Sequence, residues 1–357
     1  MIENGLTSIF GFILLLAPTV LLHELGHFGA ARAFGVRVYE FALGFGPVLW
    51  RFGQGETQYA LRLFPLGGYV RLAGMDAPRD GSRPLGEDDP RSFLAKPIWQ
   101  RAIIIAAGPV MNFVFGLALV VGYLYILALT TPPQIVKVLP DSPAAHAGLQ
   151  AGDRLVAVDH VGVRSADAAV DRINAHGPGP LAVTIERKGK RLELSADPAA
   201  AGKGGPRLGV EVMGGPISPL TALVDGVRTT WNVTAATVGG LVGMIRGQQP
   251  AELAGPIGMS VLSAKALHAG IEYFISFAVL INVNLGLLNL LPIPILDGGG
   301  LLLLVIEGLR GRRLQPEEQG FAQVVGLAII LSVVLFATYQ DIQRFIAPYF
   351  AGLLGGA

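Results

Sequence analysis

Four long apolar segments constrain the possible folds of this chain more than any other feature of the sequence. They cover about residues 6–34, 98–130, 273–309 and 320–347. A transmembrane α-helix needs about 20 consecutive, mostly apolar residues, and each segment is at least that long. The composition agrees, because 15% of the residues are charged, compared with about 25% in typical soluble domains. The pattern therefore predicts a polytopic α-helical membrane protein with about four transmembrane helices.

Charge and cysteine content exclude several function classes. The formal net charge is +1, which gives no basis for a nucleic-acid partner. The sequence contains no cysteine, so disulfides, thiolate metal sites and a cysteine nucleophile are excluded. The first apolar segment starts near Glu3 rather than a basic residue and is followed by no small-residue cleavage site. We therefore interpret it as a retained span rather than a signal peptide.

The basic residues predict how the chain is oriented and divided. Lysine and arginine are frequent in residues 35–97 and 310–313, so the positive-inside rule places both loops in the cytoplasm. The two termini and the long segment from 132 to about 269 then lie outside. The predicted segments are a first transmembrane helix (1–34), a cytoplasmic or membrane-reentrant β region (35–97), a second transmembrane helix (98–131), an outer domain (132–215), an amphipathic interfacial helix with a linker (216–270), a third transmembrane helix (271–310), and a fourth with a C-terminal tail (311–357).

The outer segment has the pattern of one small mixed domain. Turn residues separate short apolar runs, which predict strands at 134–139, 154–159, 181–188, 190–195 and 207–212 and helices at 142–149 and 166–176. Residues 218–246 follow as an interrupted amphipathic helix. We expect this helix to lie on the outer membrane interface, with a fifth span as the alternative.

A candidate metal site lies in the first apolar segment, in the sequence HELGH at residues 23–27. Residues four apart share one helix face, so His23 and His27 can bind one Zn²⁺. Glu24 beside them can take a proton from a zinc-bound water. Ionisable groups inside an apolar helix usually mark function. The alternative is that both histidines only hydrogen-bond to neighbouring helices.

A third ligand is needed, and Asp297 is the best candidate. It lies between two apolar runs, and Pro292 and Pro294 interrupt the helix before it. Two histidines and one carboxylate would leave a coordination position open, as in catalytic zinc sites. The alternative role for Asp297 is an N-cap for the helix that follows. The remaining histidines fall on the predicted outer side, namely His146, His160, His176 and His268.

The chain resembles the site-2 protease family of intramembrane zinc metalloproteases. The resemblance rests on HELGH at 23–27, LGFGP at 43–47, AGPVMNF at 107–113, GPIG at 255–258 and NLGLLNLLPIPILDGG at 284–299. The nearest branch is the bacterial regulator-of-sigma-E protease branch, which has a periplasmic PDZ region between spans two and three. The sequence SPAAHAGLQAGD at 142–153 is typical of bacterial PDZ domains. This chain has room for one extracytoplasmic PDZ domain, whereas enterobacterial members have two in tandem.

The resemblance also implies a membrane-reentrant β-element. Residues 57–72 alternate apolar and polar around Pro65, which predicts a β-hairpin with its turn at 65–68. We expect its edge to bind an unwound substrate as an added strand, through Gly67, Gly68 and Tyr69. The alternative is an ordinary cytoplasmic hairpin.

Asparagines inside the apolar segments are further candidates, because an amide is costly in lipid unless it has a polar partner. The resemblance favours Asn289 as a contact to the substrate backbone and Asn112 as a residue lining the active-site cavity. The alternative for both, and for Asn282 and Asn284, is a hydrogen bond to a neighbouring helix.

The expected function follows from the resemblance. One Zn²⁺ and Glu24 would hydrolyse transmembrane segments of single-span proteins, often anti-sigma factors already trimmed outside, with remnant signal peptides as a second class. The protein would be a multi-pass protein of the bacterial inner membrane, in contact with lipid. Its active site would lie toward the cytoplasm and its PDZ domain in the periplasm, either recruiting carboxy-termini or filtering by size. The rival functions are a silent scaffold, which would not need Glu24, and a metal transporter, which would need more than one cluster.

Overall fold

The computed structural model describes residues 2–53, 55–75, 83–86, 88–177, 179–198, 208–250 and 253–347, without the side chains of 2–4, 66 and 316. The chain forms two compact units. The first contains residues 1–120 and 228–357, and the second contains residues 121–227.

Helices occur in both units and account for most of the first. In chain order they are α1 (Ile2–Ala33), α2 (Ile98–Thr130), α3 (Pro143–His146), α4 (Ala166–Ala175), α5 (Pro219–Ile245), α6 (Pro256–Ala269), α7 (Ile271–Asn289), α8 (Asp297–Arg310) and α9 (Pro316–Asp341), which continues into a π-helical turn at Ile342–Ile346. Among the described residues, four helical stretches are long and apolar enough to cross a membrane: Gly5–Ala33, Ile98–Thr130, Ile271–Asn289 and Glu317–Ile346. The predicted number of spans is therefore confirmed.

The third predicted span differs from the structure in one respect. It is not a continuous helix, because the chain leaves helical geometry after Asn289 and starts α8 at Asp297. Proline at 292 and 294 lacks the backbone N–H that a continuing helix would require. The helix α5 is not among these four stretches, and its placement on the outer membrane interface stays a prediction. The helix α6 was not predicted, although Gly255 at its N-cap and Pro256 at its first position are typical start signals.

A small antiparallel sheet follows α1, and it corrects the predicted hairpin. Its strands are β1 (Val38–Phe52) and β2 (Gln58–Leu72). The chain of β2 reverses direction between Leu61 and Gly68, both of which pair with Leu43, so the predicted reversal is present but its two halves do not form a hairpin with each other. Phe41 pairs with both Val70 and Tyr59. The first half of β1 therefore lies between the two halves of β2, which cannot pair with each other. In this arrangement segment 68–72 forms one edge of the sheet.

The strand β1 bends at two glycines, and buried charge holds β1 and β2 together. Gly44 and Gly46 in β1 have positive φ angles of 90° and 84°, which glycine adopts without a steric penalty. Glu40 is 3% exposed, and its carboxylate accepts a hydrogen bond of 2.7 Å from Arg62 on β2. Burying these charges requires such pairing, so the contact fixes the two strands against each other.

The second unit contains a mainly antiparallel β domain after α2. Its strands are β3 (Gln134–Val138), β4 (Arg154–Val158), β5 (Val161–Gly162), β6 (Leu181–Arg187), β7 (Lys190–Ala196) and β8 (Val210–Met213). The sheet order is β7-β6-β4-β3-β8, with β5 paired to β4. The side chains of Ser142 and Ser165 cap α3 and α4. The core is contained within the domain and includes Ile135, Leu155, Leu181 and Ile185. The PDZ assignment of this domain stays a prediction.

Candidate metal centre

Three side chains from two separate helices converge on one point in the first unit. Nε2 of His23 and Nε2 of His27, both on α1, lie 3.2 Å apart. The Asp297 carboxylate on α8 approaches them at 3.3 Å from His23 Nε2 and 3.4 Å from His27 Nε2. A tetrahedral metal with bonds of about 2.1 Å places its ligand atoms about 3.4 Å apart. The spacing and the donor types therefore fit Zn²⁺, and within the described ranges this is the only group of this kind.

The imidazole of His27 is oriented by α2. Its Nδ1–H donates to the carbonyl of Ile104 at 2.9 Å, which leaves the Nε2 lone pair directed toward Asp297. The two helices approach closely here, because a Cβ at Gly26 would overlap the Ala107 carbonyl and a Cβ at Gly108 would overlap the His27 ring. Small residues permit such close helix packing in membranes. These contacts were not predicted from the sequence, although Gly108 lies in the AGPVMNF segment at 107–113.

The imidazole of His23 is oriented by Asn112, also on α2. The Asn112 amide lies 3.2 Å from His23 Nδ1, and Asn112 is fully buried. Its Oδ1 atom has no hydrogen-bond partner among the described residues. The two ends of an amide are assigned from the hydrogen-bond network. Turning the amide over lets Oδ1 accept from His23 Nδ1–H, which satisfies Oδ1 and frees Nε2 for a metal.

Asp297 is positioned by the turn that precedes α8. The N-cap residue is Leu296, with no side-chain cap hydrogen bond, so the Asp297 carboxylate is directed at the histidines rather than at the helix end. A Cβ at Gly298 or Gly299 would overlap the carbonyls of Leu290 or Ile293. These two glycines therefore allow segment 290–296 to fold tightly over the first turn of α8.

Glu24 lies beside the two histidines and next to the β-sheet. It is 8% exposed. A Cβ built on Gly68 of β2 would lie 2.7 Å from Glu24 Cγ, so the backbone of the edge segment touches this side chain. Gly67 packs against the Phe45 ring, and Tyr69 stacks on the same ring with centroids 6.4 Å apart. The structure thus brings Gly68 to the metal centre, with Gly67 and Tyr69 as its neighbours in the chain.

The asparagines on α7 have different surroundings. Asn282 Nδ2 donates to Thr19 Oγ1 on α1 at 3.1 Å, and Asn284 Oδ1 accepts from Thr237 Oγ1 on α5 at 2.9 Å. Both contacts join neighbouring helices, which agrees with the alternative role of a hydrogen bond between helices. Asn289 is half-buried in the last turn of α7, immediately before the turn that leads to Asp297.

Comparison with known proteins identifies the family. The sequence model of peptidase family M50 matches residues 11–333. The chain is 31% identical to the zinc metalloprotease RasP of Geobacillus kaustophilus, over 97% of this chain and 100% of that protein. It is 33% identical to a putative zinc metalloprotease of Rhizobium meliloti, over 96% of this chain and 98% of that protein.

A further relative is the regulator of sigma-W protease RasP of Bacillus subtilis, at 29% identity over 94% of this chain and 98% of that protein. These matches span nearly the full length of each protein, so they cover the four membrane spans and the β domain together. The chain therefore belongs to peptidase family M50 and is a multi-pass membrane zinc metalloprotease of the site-2 type.

Proposed function

We propose that this protease hydrolyses peptide bonds within the transmembrane segments of single-span membrane proteins. His23, His27 and Asp297 are the ligands of one Zn²⁺, and Glu24 is the general base. The observation that carries the proposal is the convergence of these three ligands at tetrahedral spacing. The helix α1 is apolar enough to cross a membrane, and α8 follows another such helix, α7. Ionisable groups in such helices usually serve a function.

The residues around the metal divide the chemical work. Bound Zn²⁺ supplies a Lewis acid and lowers the pKa of a water molecule to about 7. Glu24 takes a proton from the attacking water and returns it to the leaving amine. Asn112 and the Ile104 carbonyl hold the two imidazoles in the tautomer that presents Nε2 to the metal. Burial of Glu24 keeps competing water away from its carboxylate.

The sheet edge offers a way to present a substrate. A helical substrate hides its carbonyls in internal hydrogen bonds, so it must unwind before hydrolysis. Segment 68–72 pairs with β1 on one side and, within the described residues, has no strand on the other. We propose that an unwound substrate adds to this edge, and that the sheet enters the membrane from the cytoplasmic side. The contact between Gly68 and Glu24 supports this path, because it brings the edge to the base.

The cellular setting is proposed from the same resemblance. The substrates are membrane proteins already cut on their outer side, such as anti-sigma factors, and remnant signal peptides form a second class. The Bacillus subtilis relative is named a regulator of sigma-W protease, which supports the first class. We place the protein in the bacterial inner membrane, with domain 132–215 as a periplasmic PDZ domain and the metal centre toward the cytoplasm.

The test compares wild type with Glu24→Gln on a tagged single-span substrate in membranes, with bound zinc measured in both. We expect cleavage by wild type alone and equal zinc content, because Gln keeps the shape of Glu24 but cannot accept the proton. Glu211→Gln, at an exposed position in β8, is the matched control and should cleave normally. Equal cleavage by wild type and Glu24→Gln would show that the base is misassigned.

A further inference from the structure

A cavity in the second unit lies directly against the C-terminal end of α2. Its volume is about 640 Å³. One wall is the last turn of α2 with the two residues that follow, Thr131 and Pro132. The rest of the lining comes from the β domain, which contributes three basic residues, Arg154, Arg164 and Arg191, and one acidic residue, Glu186.

The register of the sheet explains why these charges collect on one face. Arg154 on β4 is paired with Glu186 on β6, and Glu186 is paired with Arg191 on β7. Residues directly opposite each other in a ladder point to the same face of the sheet. Arg154 and Glu186 form an ion pair of 3.4 Å, so among the described residues that line the cavity no carboxylate remains to pair with Arg164 and Arg191. All three arginines are solvent-exposed, so their charge is available to a ligand.

The position of the cavity along α2 indicates what kind of ligand could reach it. The helix stays apolar up to Leu129, and it has Tyr123 and Tyr125 near this end. Tyrosine is enriched where a span meets the lipid headgroups, and Thr131 lies about 9 Å beyond Tyr125 at 1.5 Å per residue. The cavity therefore lies at the depth of phospholipid headgroups.

A second, apolar cavity of about 360 Å³ adjoins the first. It is lined by Leu124, Leu127 and Ala128 of α2, and it shares Thr131 and Pro216 with the basic cavity. A basic cavity and an apolar cavity on either side of the same two residues match the two parts of a phospholipid. The phosphate would lie with the arginines and the glycerol and upper acyl chain along α2.

We propose that the basic cavity binds the phosphate of an anionic phospholipid of the outer leaflet, through Arg154, Arg164 and Arg191. Guanidinium groups bind phosphate oxygens through paired hydrogen bonds. A bound lipid would tie the β domain to the membrane surface at the end of the second span. A soluble phosphate ester offers the same recognition chemistry, so the experiment must separate these two sources.

The experiment uses the full chain in nanodiscs of phosphatidylcholine mixed with phosphatidylglycerol, and native mass spectrometry counts the lipids that stay bound after release. We expect wild type to retain phosphatidylglycerol. Arg164→Gln and Arg191→Gln should each lower this retention about fivefold, and the double variant more, given the attraction of one basic side chain to an anionic surface. Arg172→Gln is the control, because Arg172 is an exposed arginine of α4 in the same unit and does not line the cavity.

Glycerol 3-phosphate, titrated into the same proteins in pure phosphatidylcholine nanodiscs, forms the second arm. Retention of phosphatidylglycerol that falls in the cavity variants but not in Arg172→Gln supports the lipid site. If wild type binds glycerol 3-phosphate saturably, the cavity variants lose this binding and lipid retention does not change, the cavity binds a soluble phosphate. That result would overturn the lipid proposal. Equal retention of phosphatidylglycerol by wild type, cavity variants and control also overturns the proposal. The zinc content of every variant checks that the first unit is intact.

Discussion

Each imidazole at the metal centre uses one nitrogen toward Asp297 and the other toward a group on α2. For His27 that group is the Ile104 carbonyl, and for His23 it is the Asn112 amide. Such outer contacts fix the tautomer of a ligating histidine and raise its basicity. If His23 and His27 bind zinc as proposed, the geometry of α2 influences the affinity although the three proposed ligands lie on other helices.

Replacing Asn112 with alanine should weaken zinc binding without removing a ligand. His23 Nδ1 would lose its hydrogen bond to Asn112, and such losses usually lower metal affinity by about 10–100-fold. Asn112→Asp should retain most of the affinity, because a carboxylate accepts the same hydrogen bond. Competition with a chelator measures the affinity, and Asn284→Ala, which loses a helix contact instead, is the control. Equal affinities for Asn112→Ala and Asn284→Ala would contradict this role.

Gly68→Ala should separate catalysis from metal binding. The new Cβ would lie 2.7 Å from Glu24 Cγ and 3.0 Å from the Ala42 carbonyl, so Glu24 and the sheet edge must move apart. A displacement of about 1 Å at a reacting group can lower a rate by about 100-fold, whereas the three proposed zinc ligands are untouched. Gly55→Ala, where a Cβ meets nothing within 4 Å, should cleave like wild type. Loss of zinc in Gly68→Ala would mean that the substitution disturbs the whole centre.

At the scale of helices and strands, local patterns were predicted and distant pairings were not. The HELGH spacing places His23 and His27 on one face because α-helical periodicity is local. The break before Asp297 follows from prolines in the same segment. The chain reversal within 57–72 was predicted, whereas direct pairing of its two halves is wrong, because β1 lies between them. The bends of β1 at Gly44 and Gly46 obscure the alternating pattern that would have predicted β1 as a strand.

The contacts of Asn112 and Gly108 could not be predicted for a related reason. They depend on how α1 and α2 are rotated against each other, and apolar segments carry little sequence information about rotation in lipid. The same limit applies to α6, whose amphipathic pattern is weak because it packs against other helices. The AGPVMNF and GPIG motifs contributed to the family resemblance, but they did not predict which residues these segments contact.

One buried ion pair fixes α8 against α2. Arg101 on α2 donates to both carboxylate oxygens of Glu307 on α8, at 2.5 and 3.0 Å, and the two side chains are 5% and 13% exposed. Glu307 lies ten residues after Asp297, or about 15 Å along the helix. The pair therefore sets the axial position of the helix that begins with the proposed zinc ligand.

Breaking this pair on one side should destabilise the protein, whereas replacing both partners should not. Glu307→Leu leaves Arg101 buried without its partner, which typically lowers the free energy of unfolding by about 3–5 kcal/mol. The double variant Arg101→Met/Glu307→Leu should recover most of this stability, because the uncompensated charge is gone. Unfolding in mixed detergent and bound zinc are the measurements. Glu56→Gln, in an exposed pair with Arg91, is the control and should change the free energy of unfolding by at most about 1 kcal/mol. If the effects of the two single substitutions simply add in the double variant, Arg101 and Glu307 are not energetically coupled.

At the scale of the whole molecule, the chemistry and the β domain belong to different units. His23, Glu24, His27 and Asp297 all lie in the first unit, whereas residues 121–227 form the second. The core of the β domain draws on its own residues alone. Its entry and exit lie side by side, because the Gly215 N–H donates to the Thr131 carbonyl at 2.7 Å.

Excising residues 132–214 and joining Thr131 to Gly215 through a short glycine-serine linker should therefore leave the metal centre intact. We expect zinc content at the wild-type level and continued cleavage of a single-span substrate with a short outer segment, because no ligand or base is removed. The β domain should matter for substrate choice. If it filters by size, the excised protein will also cleave substrates with folded outer domains, and if it recruits carboxy-termini, the apparent KM for trimmed substrates will rise. A protein that loses zinc on excision would show that the first unit depends on the second for its fold, contrary to the self-contained core of each unit.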